Sequence, residues 1–371
     1  MILEFHTYKE IKQQPRMWSK AYALIRDRKS EISSFVHKWL DKGYQVILTG
    51  AGTSAYVGDA LEPALFGTIF RGARSIATTD ILTAPEHYFD AGSKVLLVSF
   101  ARSGNSPESV GAVQAVERTA GSVAHIIITC NALGQLALMQ GEHILTVLLP
   151  PETNDLSLAM TSSYSTMLLA CALIAHIDKI EDQKEHILRL ADAVEAAMEK
   201  YEADIRRMAG LGFKRAVFLG SGPLKGVAEE SRLKLQELTD GSVMCAFDSF
   251  LGFRHGPKAV VNGDTLIVYL LSDKISVQRY ELDLIRQIKA LGYEMASILI
   301  CQSRPEEGYS GSLCIEIGLP ISMPECYSCV SYIFVAQLLG MFKSIDYGLS
   351  PDAPSISGNI SRVVEGVTVY N

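Results

Sequence analysis

Short apolar runs alternate with helix-length amphipathic segments along most of this 371-residue chain. Short runs, most of them rich in Val, Ile and Leu, have the length of buried parallel strands. They lie at residues 45–48, 75–78, 94–99, 124–129 and 144–149. Helical spacing separates most of these runs and also covers residues 1–44. Alternating strands and helices predict an α/β protein with a parallel sheet, preceded by a helical arm.

The same succession of segments returns in the second half of the chain. Strand-like runs lie at residues 216–219, 265–271, 295–301 and 314–319. Gly50 and Gly220 are 170 residues apart, and Pro150 and Pro320 are separated by the same 170 residues. This shared register indicates a tandem duplication. We predict a helical arm at 1–44, a first domain at 45–200, a second domain at 201–350 and a tail at 351–371.

Composition narrows the class of protein. Apolar residues make up 48% and charged residues 20%, as in a folded globular chain. The formal net charge of −7 and the lack of a basic stripe argue against a nucleic-acid partner. The N-terminus does not resemble a signal peptide, and we find no uncharged apolar run of membrane-spanning length. Seven dispersed cysteines favour reduced thiols, and hence a cytoplasmic protein.

A loop rich in serine follows the third strand of the first copy. Residues 95–109 read VLLVSFARSGNSPES, a buried strand that breaks into small hydroxylated residues before a helix that begins near Pro107. Main-chain N–H groups at a helix N-terminus bind anions, and serine hydroxyls add donors. We therefore predict that Ser103 and Ser106 hold a phosphate group, and that Arg102 adds charge-assisted hydrogen bonds.

The second copy departs from the first at this loop. Ser272, Asp273 and Lys274 follow its corresponding strand, and the Asp carboxylate would repel a phosphate. We therefore expect the first copy to bind the anion.

The stretch TGAGTSA also satisfies a loose dinucleotide-binding pattern, at Gly50, Gly52 and Ala55. Two observations argue against that alternative. No clear acidic residue stands at the end of the second strand, where a ribose ligand is expected. A nicotinamide site also does not require the second, serine-rich loop.

The duplication and the sequences TGAGTSAYVGDAL, SFARSGNSPES and FRHGPK resemble the sugar isomerase (SIS) family. The arrangement is similar to the isomerase half of glucosamine-6-phosphate synthase, and more closely to AgaS-type enzymes. The resemblance implies two tandem SIS domains, each a three-layer α/β/α sandwich with a flavodoxin-like parallel sheet. It also implies one of two activities, galactosamine-6-phosphate deamination or tagatose-6-phosphate ketose/aldose isomerisation.

The resemblance implies particular site residues. Phosphate ligands would be Thr53, Ser54, Ser103 and Ser106, and residues near the sugar hydroxyls would be Thr161 and Ser162. Glu237 matches the catalytic glutamate, with Glu230 and Lys234 as its charged neighbours. His255 matches a ring-opening histidine that the partner subunit contributes, so the resemblance implies a homodimer or higher oligomer with a shared active site.

Three positions depart from the synthase pattern. Ala101 replaces a serine, Arg102 replaces a glutamine, and the Schiff-base lysine near the C-terminus is replaced by Arg362 or Glu365. Arginine stays protonated and cannot form an imine. An amino-sugar substrate carries its own nitrogen, so the missing lysine favours deamination.

The chemistry of these residues can also be judged without the family. Glu230, Lys234 and Glu237 are spaced four and three apart, which places them on one helix stripe. The simpler interpretation is a solvated face with a Glu230–Lys234 salt bridge. If Glu237 faces a cleft, burial would raise its pKa towards that of a useful base. Imidazole suits ring opening near pH 7, and Arg254 and Lys258 would favour neutral His255.

The remaining motifs predict no metal and no cofactor. Cys326 and Cys329 form an isolated pair in an apolar segment, which favours core packing, and the histidines lack metal-ligand spacing.

The leading hypothesis for the function is deamination of galactosamine-6-phosphate to tagatose-6-phosphate and ammonia. The alternatives are a ketose/aldose isomerase without deamination and a non-catalytic sugar-phosphate sensor. A DNA-binding head of the kind that sensors usually carry is not evident in residues 1–44.

Overall fold

A computed structural model describes residues 2–305, 309–364 and 366–370. The described residues form two parallel five-stranded sheets. The first sheet contains β1 (Gln45–Thr49), β2 (Arg74–Ser75), β3 (Lys94–Ala101), β4 (Ser122–Thr129) and β5 (Ile144–Leu148). The second contains β6 (Arg215–Gly220), β7 (Met244–Asp248), β8 (Thr265–Leu270), β9 (Ala296–Cys301) and β10 (Leu313–Glu316).

Helices precede, separate and follow the strands. The first seven are α1 (His6–Lys12), α2 (Gln14–Asp27), α3 (Lys29–Leu40), α4 (Thr53–Leu61), α5 (Thr78–Thr83), α6 (Pro107–Thr119) and α7 (Ser162–Ala175). The others are α8 (Lys184–Ala209), α9 (Pro223–Leu238), α10 (Phe250–Phe253), α11 (Ile275–Leu291), α12 (Glu325–Ser328) and α13 (Ile333–Asp346). Short 3-10 helices lie at Ile2–Glu4, Glu62–Ala64, Pro85–His87, Pro151–Thr153, Ile177–Gln183, Pro257–Val260 and Cys329–Tyr332.

The two sheets have the same topology. The first has the order β2-β1-β3-β4-β5, and the second has the order β7-β6-β8-β9-β10. This is the flavodoxin-like order, in which ligands bind where the strand order reverses, beside the carboxyl ends of β1 and β3. The prediction of a duplicated α/β fold with parallel sheets is confirmed.

The turns after β1 and β6 repeat the same backbone geometry. Gly52 precedes α4 with φ 54° and ψ −126°, and Gly222 precedes α9 with φ 56° and ψ −128°. Only glycine adopts this conformation without strain. The glycine-rich pattern is therefore required by a tight strand-to-helix turn in both copies.

The edge strands β2 and β7 were the least well predicted. The sequence predicted a strand over residues 75–78, whereas β2 spans only Arg74–Ser75 and Thr78 already begins α5. No strand was predicted at Met244–Asp248, which forms β7. None of its five residues is buried, so the strand lacks the apolar run that marks buried strands.

The chain divides into two compact units. The unit with the second sheet comprises residues 1–15, 157–159 and 188–360, and the unit with the first sheet comprises residues 16–156, 160–187 and 361–371. This division cuts the arm predicted at 1–44. Residues 1–15 join the second sheet because the N–H of Thr7 donates to Asp352 at 2.8 Å and Gln14 donates to Gln337 at 2.7 Å.

Among the residues that the structure describes, one helical segment, Glu325–Asp346, is long and apolar enough to cross a membrane. Its most apolar stretch has a mean hydropathy of 1.4, and 94% of that stretch is buried inside the protein. Such burial is typical of a core helix. Cys326 and Cys329, on this segment, are each 1% exposed.

Candidate active site

A small cavity lies at the reversal point of the first sheet. Its volume is about 110 Å³. The loops after β1 and β3, the N-terminus of α6 and the C-terminal tail line it with Ser54, Arg102, Ser103, Ser106, Ser109 and Arg362, among others. The loops after β1 and β3 lie side by side because β1 pairs with β3 in parallel register. The cavity thus combines hydroxyl donors, helix N-terminal N–H groups and two arginines, which is the donor set for a phosphate.

The serine loop is braced by the neighbouring loop after β4. The side-chain amide of Asn131 donates to the Ser103 carbonyl oxygen at 2.8 Å. The side-chain oxygen of Asn105 accepts from the Gln135 N–H at 2.9 Å. Ser106 stands at the N-cap of α6, yet its hydroxyl donates to Ser109 at 2.6 Å instead of capping the helix. The Ser106 side chain therefore accepts no hydrogen bond from the first-turn N–H groups of α6.

The two arginines hold the tail against this cavity. Arg102 is 6% exposed, and its guanidinium donates to the main-chain oxygen of Arg362. Arg362 in turn donates to the main-chain oxygen of Asp155 at 2.6 and 2.8 Å and to the Asn154 side chain at 2.9 Å. Arg362 therefore lines the cavity and fastens the tail at the same time. Glu365, the other candidate for the lysine position, lies outside the described residues.

A buried carboxylate organises the start of α7. Asp155 accepts from the Thr161 N–H at 2.8 Å, the Ser162 hydroxyl at 2.5 Å and the Ser163 hydroxyl at 2.6 Å. Thr161 and Ser162 are fully buried, and so is Asp155. The Ser162 hydroxyl thus satisfies a structural carboxylate, and contact of Thr161 and Ser162 with the sugar stays a prediction.

The corresponding position of the second sheet contains an internal carboxyl group. Glu281 on α11 is fully buried, and its carboxylate accepts from the Ser272 N–H at 2.9 Å. Burial raises the pKa of Glu281 to about 7. Hydrogen bonds from Ser221 and from the Ser272 N–H favour the charged form and oppose this shift, but burial has the larger effect. Ser221 and Ser272 belong to the loops after β6 and β8, which correspond to the phosphate loops of the first sheet. The second copy therefore fills this position with its own carboxylate, a stronger reason than Asp273 for its lack of a phosphate.

Three charged residues of α9 form a buried cluster. Lys234 is fully buried, and its ammonium lies 3.2 Å from Glu230 and donates to Glu237. Burial opposes the charge on Lys234, but the two carboxylates outweigh this effect and raise its pKa. The predicted Glu230–Lys234 salt bridge exists, but it is removed from water. Buried ion clusters are costly, and they are often kept for function.

Glu237 is the exposed end of this cluster. The Glu237 side chain is 14% exposed, whereas the side chains of Glu230 and Lys234 are fully buried. Helix α13 packs closely behind α9, because a Cβ on Gly340 would lie 3.0 Å from the Lys234 carbonyl oxygen. The cluster thus holds the Glu237 carboxylate in one orientation from a rigid support, as a catalytic base requires.

His255 lies in the same unit as α9, between α10 and the Pro257–Val260 turn, and it is exposed.

The structure brings most of the other predicted site residues together in two groups. One cavity is lined by Ser54, Arg102, Ser103, Ser106 and Arg362. One buried cluster contains Glu230, Lys234 and Glu237. Thr53 is buried at the first position of α4 and does not line the cavity.

Sequence reasoning missed Asn131, Asp155 and Glu281. Each forms hydrogen bonds with residues 6 or more positions away, and the sequence does not show which segments come together.

The dinucleotide alternative loses support, because β2 ends at Ser75 and the next three residues are uncharged.

This chain is similar to known proteins over the residues of both sheets. The SIS domain model matches residues 40–177. The D-galactosamine-6-phosphate deaminase AgaS of Shewanella sp. (strain ANA-3) is 38% identical over 99% of this chain and 92% of its own length. The structure of tagatose-6-phosphate ketose/aldose isomerase from Escherichia coli matches with a TM-score of 0.91 at 32% identity, covering 100% of this chain and 97% of that one. The C-terminal domain of glucosamine-fructose-6-phosphate aminotransferase from Francisella tularensis shares the fold, with a TM-score of 0.79 at 19% identity over 93% and 97% of the two chains.

Proposed function

Because this chain belongs to the AgaS family of SIS-domain proteins, we propose that it converts galactosamine-6-phosphate and water to tagatose-6-phosphate and ammonia. The observation that carries the proposal is similarity to a galactosamine-6-phosphate deaminase over both domains, rather than over one motif. The cavity with Ser103, Ser106 and Arg102 supports it, since each of these residues supplies donors to an anion.

The phosphate end of the sugar binds at the serine loop. The hydroxyls of Ser54, Ser103 and Ser106 and the N-terminus of α6 hold its oxygens, with Thr53 supporting the turn. Arg102 and Arg362 supply positive charge close by, and they keep the tail in contact with the cavity. Lys234 acts on the substrate through Glu237, because the Lys234 ammonium is fully buried.

The reaction proceeds by proton transfer within the open-chain sugar. His255 moves the proton from the anomeric hydroxyl to the ring oxygen, which opens the ring to the C1 aldehyde. Glu237 removes the proton from C2, and the electron pair shifts to form an enediol-type intermediate with nitrogen at C2. Protonation at C1 then leaves a C2 ketimine. Water adds to the ketimine carbon, the C–N bond breaks, and ammonia and the ketose phosphate are released.

A second candidate function is ketose/aldose isomerisation without loss of ammonia. The name of the Escherichia coli structure favours it, and the same two residues would carry it. The substrate would then carry a hydroxyl at C2, and the enediol would give the ketose directly. The two reactions differ only in the C2 substituent, so substrate choice distinguishes them.

The decisive experiment measures ammonia and ketose phosphate separately. The purified chain is given galactosamine-6-phosphate, glucosamine-6-phosphate and galactose-6-phosphate. Deamination predicts equal amounts of ammonia and tagatose-6-phosphate from the first substrate. Turnover of galactose-6-phosphate alone would establish the isomerase instead. Binding of sugar phosphates without turnover would indicate a sensor, and ammonia from glucosamine-6-phosphate alone would reverse the proposed sugar preference.

The complete active site is proposed to form in a homodimer, with His255 supplied by the partner subunit. The exposure of His255 supports this arrangement, because its ring is not committed to the core. The reaction as proposed needs no metal and no cofactor, since the C2 carbon is oxidised and the C1 carbon reduced within one molecule.

A further inference from the structure

A second cluster of potential ligands lies within the unit that holds the first sheet. It consists of Glu117 in the last turn of α6, His125 in β4 and His143 immediately before β5. Their ligand atoms all lie within 4.8 Å of one another. None of them belongs to the proposed reaction. The phosphate loop is at the other end of α6, about 15 Å away at a rise of 1.5 Å per residue.

The backbone fixes the two histidines as neighbours. The N–H of His125 donates to the carbonyl oxygen of His143 at 2.8 Å, in line with the parallel pairing of β4 and β5. Their rings face each other edge to face, with centroids 6.0 Å apart. The arrangement therefore follows from the sheet register and does not depend on a mobile loop.

His125 is unusual for a buried residue. Its side chain is fully buried, and neither ring nitrogen forms a hydrogen bond within the described part of the chain. A buried nitrogen without a partner costs free energy, so such groups normally have a ligand. The Nε2 atom lies 3.2 Å from the Glu117 carboxylate. That separation is close to the distance of about 3.3 Å between neighbouring ligands on a tetrahedral zinc ion.

Imidazole nitrogens and carboxylate oxygens are both ligands for divalent transition metals, and this cluster brings the two kinds together. Glu117 keeps 40% of its side-chain exposure, which leaves a path for an ion from solvent.

We propose that Glu117, His125 and His143 form a binding site for a divalent transition metal of the zinc type, remote from the catalytic site. Two imidazoles and one carboxylate are a common zinc ligand set, with water completing the tetrahedron. The bound ion ties the end of α6 to β4 and to the start of β5. It stabilises the first sheet without taking part in the reaction.

The test uses the full-length chain after treatment with a chelator and its removal. Co²⁺ is added first, because tetrahedral Co²⁺ has intense visible absorption, and Zn²⁺ is then added as a competitor. We expect one Co²⁺ per chain, displacement by Zn²⁺, and a higher Tm with Zn²⁺ than without it. The variants His143→Ala and Glu117→Gln are expected to weaken binding at least ~10-fold and to abolish the Tm increase.

His87→Ala and Glu142→Gln serve as matched controls, since both side chains are exposed and lie outside the cluster. These variants should bind the metal as the wild-type chain does. His125→Ala is avoided because it would create a cavity in the core. The proposal is overturned if the wild-type chain takes up no stoichiometric metal, or if His143→Ala and Glu117→Gln bind as tightly as the controls.

Discussion

The guanidinium of Arg102 donates a hydrogen bond to the main-chain carbonyl oxygen of Arg362. Arg102 follows the strand that leads into the serine loop, and Arg362 belongs to the C-terminal tail. The Arg362 side chain is itself held by Asn154 and Asp155. One wall of the proposed phosphate cavity is therefore a tail segment that these arginine contacts hold in place.

Replacing Arg362 by Ala is expected to raise the KM for the sugar phosphate ~10-fold and to lower kcat less. The variant loses hydrogen bonds from a charged donor, worth about 1.5–3 kcal/mol, and these bonds hold the tail at the cavity. Steady-state kinetics measure the two parameters. Arg74→Ala, at an exposed position of β2, is the control and should leave both unchanged. An unchanged KM in Arg362→Ala would show that the tail contact does not serve binding.

The serine loop is expected to determine phosphate affinity. Ser103→Ala and Ser106→Ala each remove one hydroxyl donor, so KM should rise ~5–30-fold for each variant. Inhibition by inorganic phosphate should weaken by a similar factor, because phosphate shares that end of the site. Ser272→Ala changes the corresponding loop of the second copy and should alter neither quantity. Equal effects from Ser272→Ala and Ser103→Ala would contradict the asymmetry between the two copies.

Glu237→Gln is expected to abolish turnover while preserving binding. The amide keeps a hydrogen-bond acceptor for Lys234 but cannot take the C2 proton, so kcat should fall ~10²–10⁴-fold. Calorimetric titration with substrate should give a Kd within a few-fold of the wild-type KM. Glu229→Gln, eight residues and about two turns earlier on α9, is the control and should retain activity. A Glu237→Gln variant with full activity would exclude this carboxylate as the base.

Mixing two inactive variants tests whether subunits share the site. Glu237→Gln chains and His255→Ala chains are unfolded together and refolded. If His255 acts across the interface, mixed dimers contain one complete site, and activity should recover to about a quarter of the wild-type value. If both residues act from the same chain, mixed dimers contain no complete site. Absence of recovery in confirmed mixed dimers would then place His255 and Glu237 in one subunit.

The buried Glu281 predicts a dependence of stability on pH. Its pKa is raised from 4.5 to about 7 in the folded protein. Between these values the folded state retains a proton that the unfolded state releases. The free energy of unfolding therefore falls as pH rises through this range, by ~1.4 kcal/mol per unit and roughly 3 kcal/mol in total, and the contribution is flat outside it.

Glu281→Gln removes this titration and keeps an acceptor for the Ser272 N–H. The variant should therefore gain stability relative to the wild-type chain as pH rises from 4.5 to 8. Urea unfolding of both proteins at several pH values measures the difference. Parallel stability profiles would mean that the carboxylate is not protonated in the folded state.

Local sequence patterns predicted much of the architecture. Apolar runs predicted eight of the ten strands close to their observed positions, and offsets of about 170 residues between matching landmarks predicted the repeated sheet. The serine loop and the stripe on α9 were also visible, because small hydroxylated residues mark the loop and a helical spacing marks the stripe. Edge strand β7 was not, since a half-exposed strand needs no apolar run.

The sequence by itself determined the duplicated α/β fold, the loop that can hold a phosphate, and the residues that resemble those of a sugar-phosphate enzyme. Tertiary structure alone decided that Lys234 is fully buried between two carboxylates, that Arg362 fastens the tail, and that Glu281 fills the second copy. The reason is physical. Periodicity and turn chemistry act over a few residues, whereas burial and charge pairing depend on segments such as Arg362 and Asp155, which are 207 positions apart.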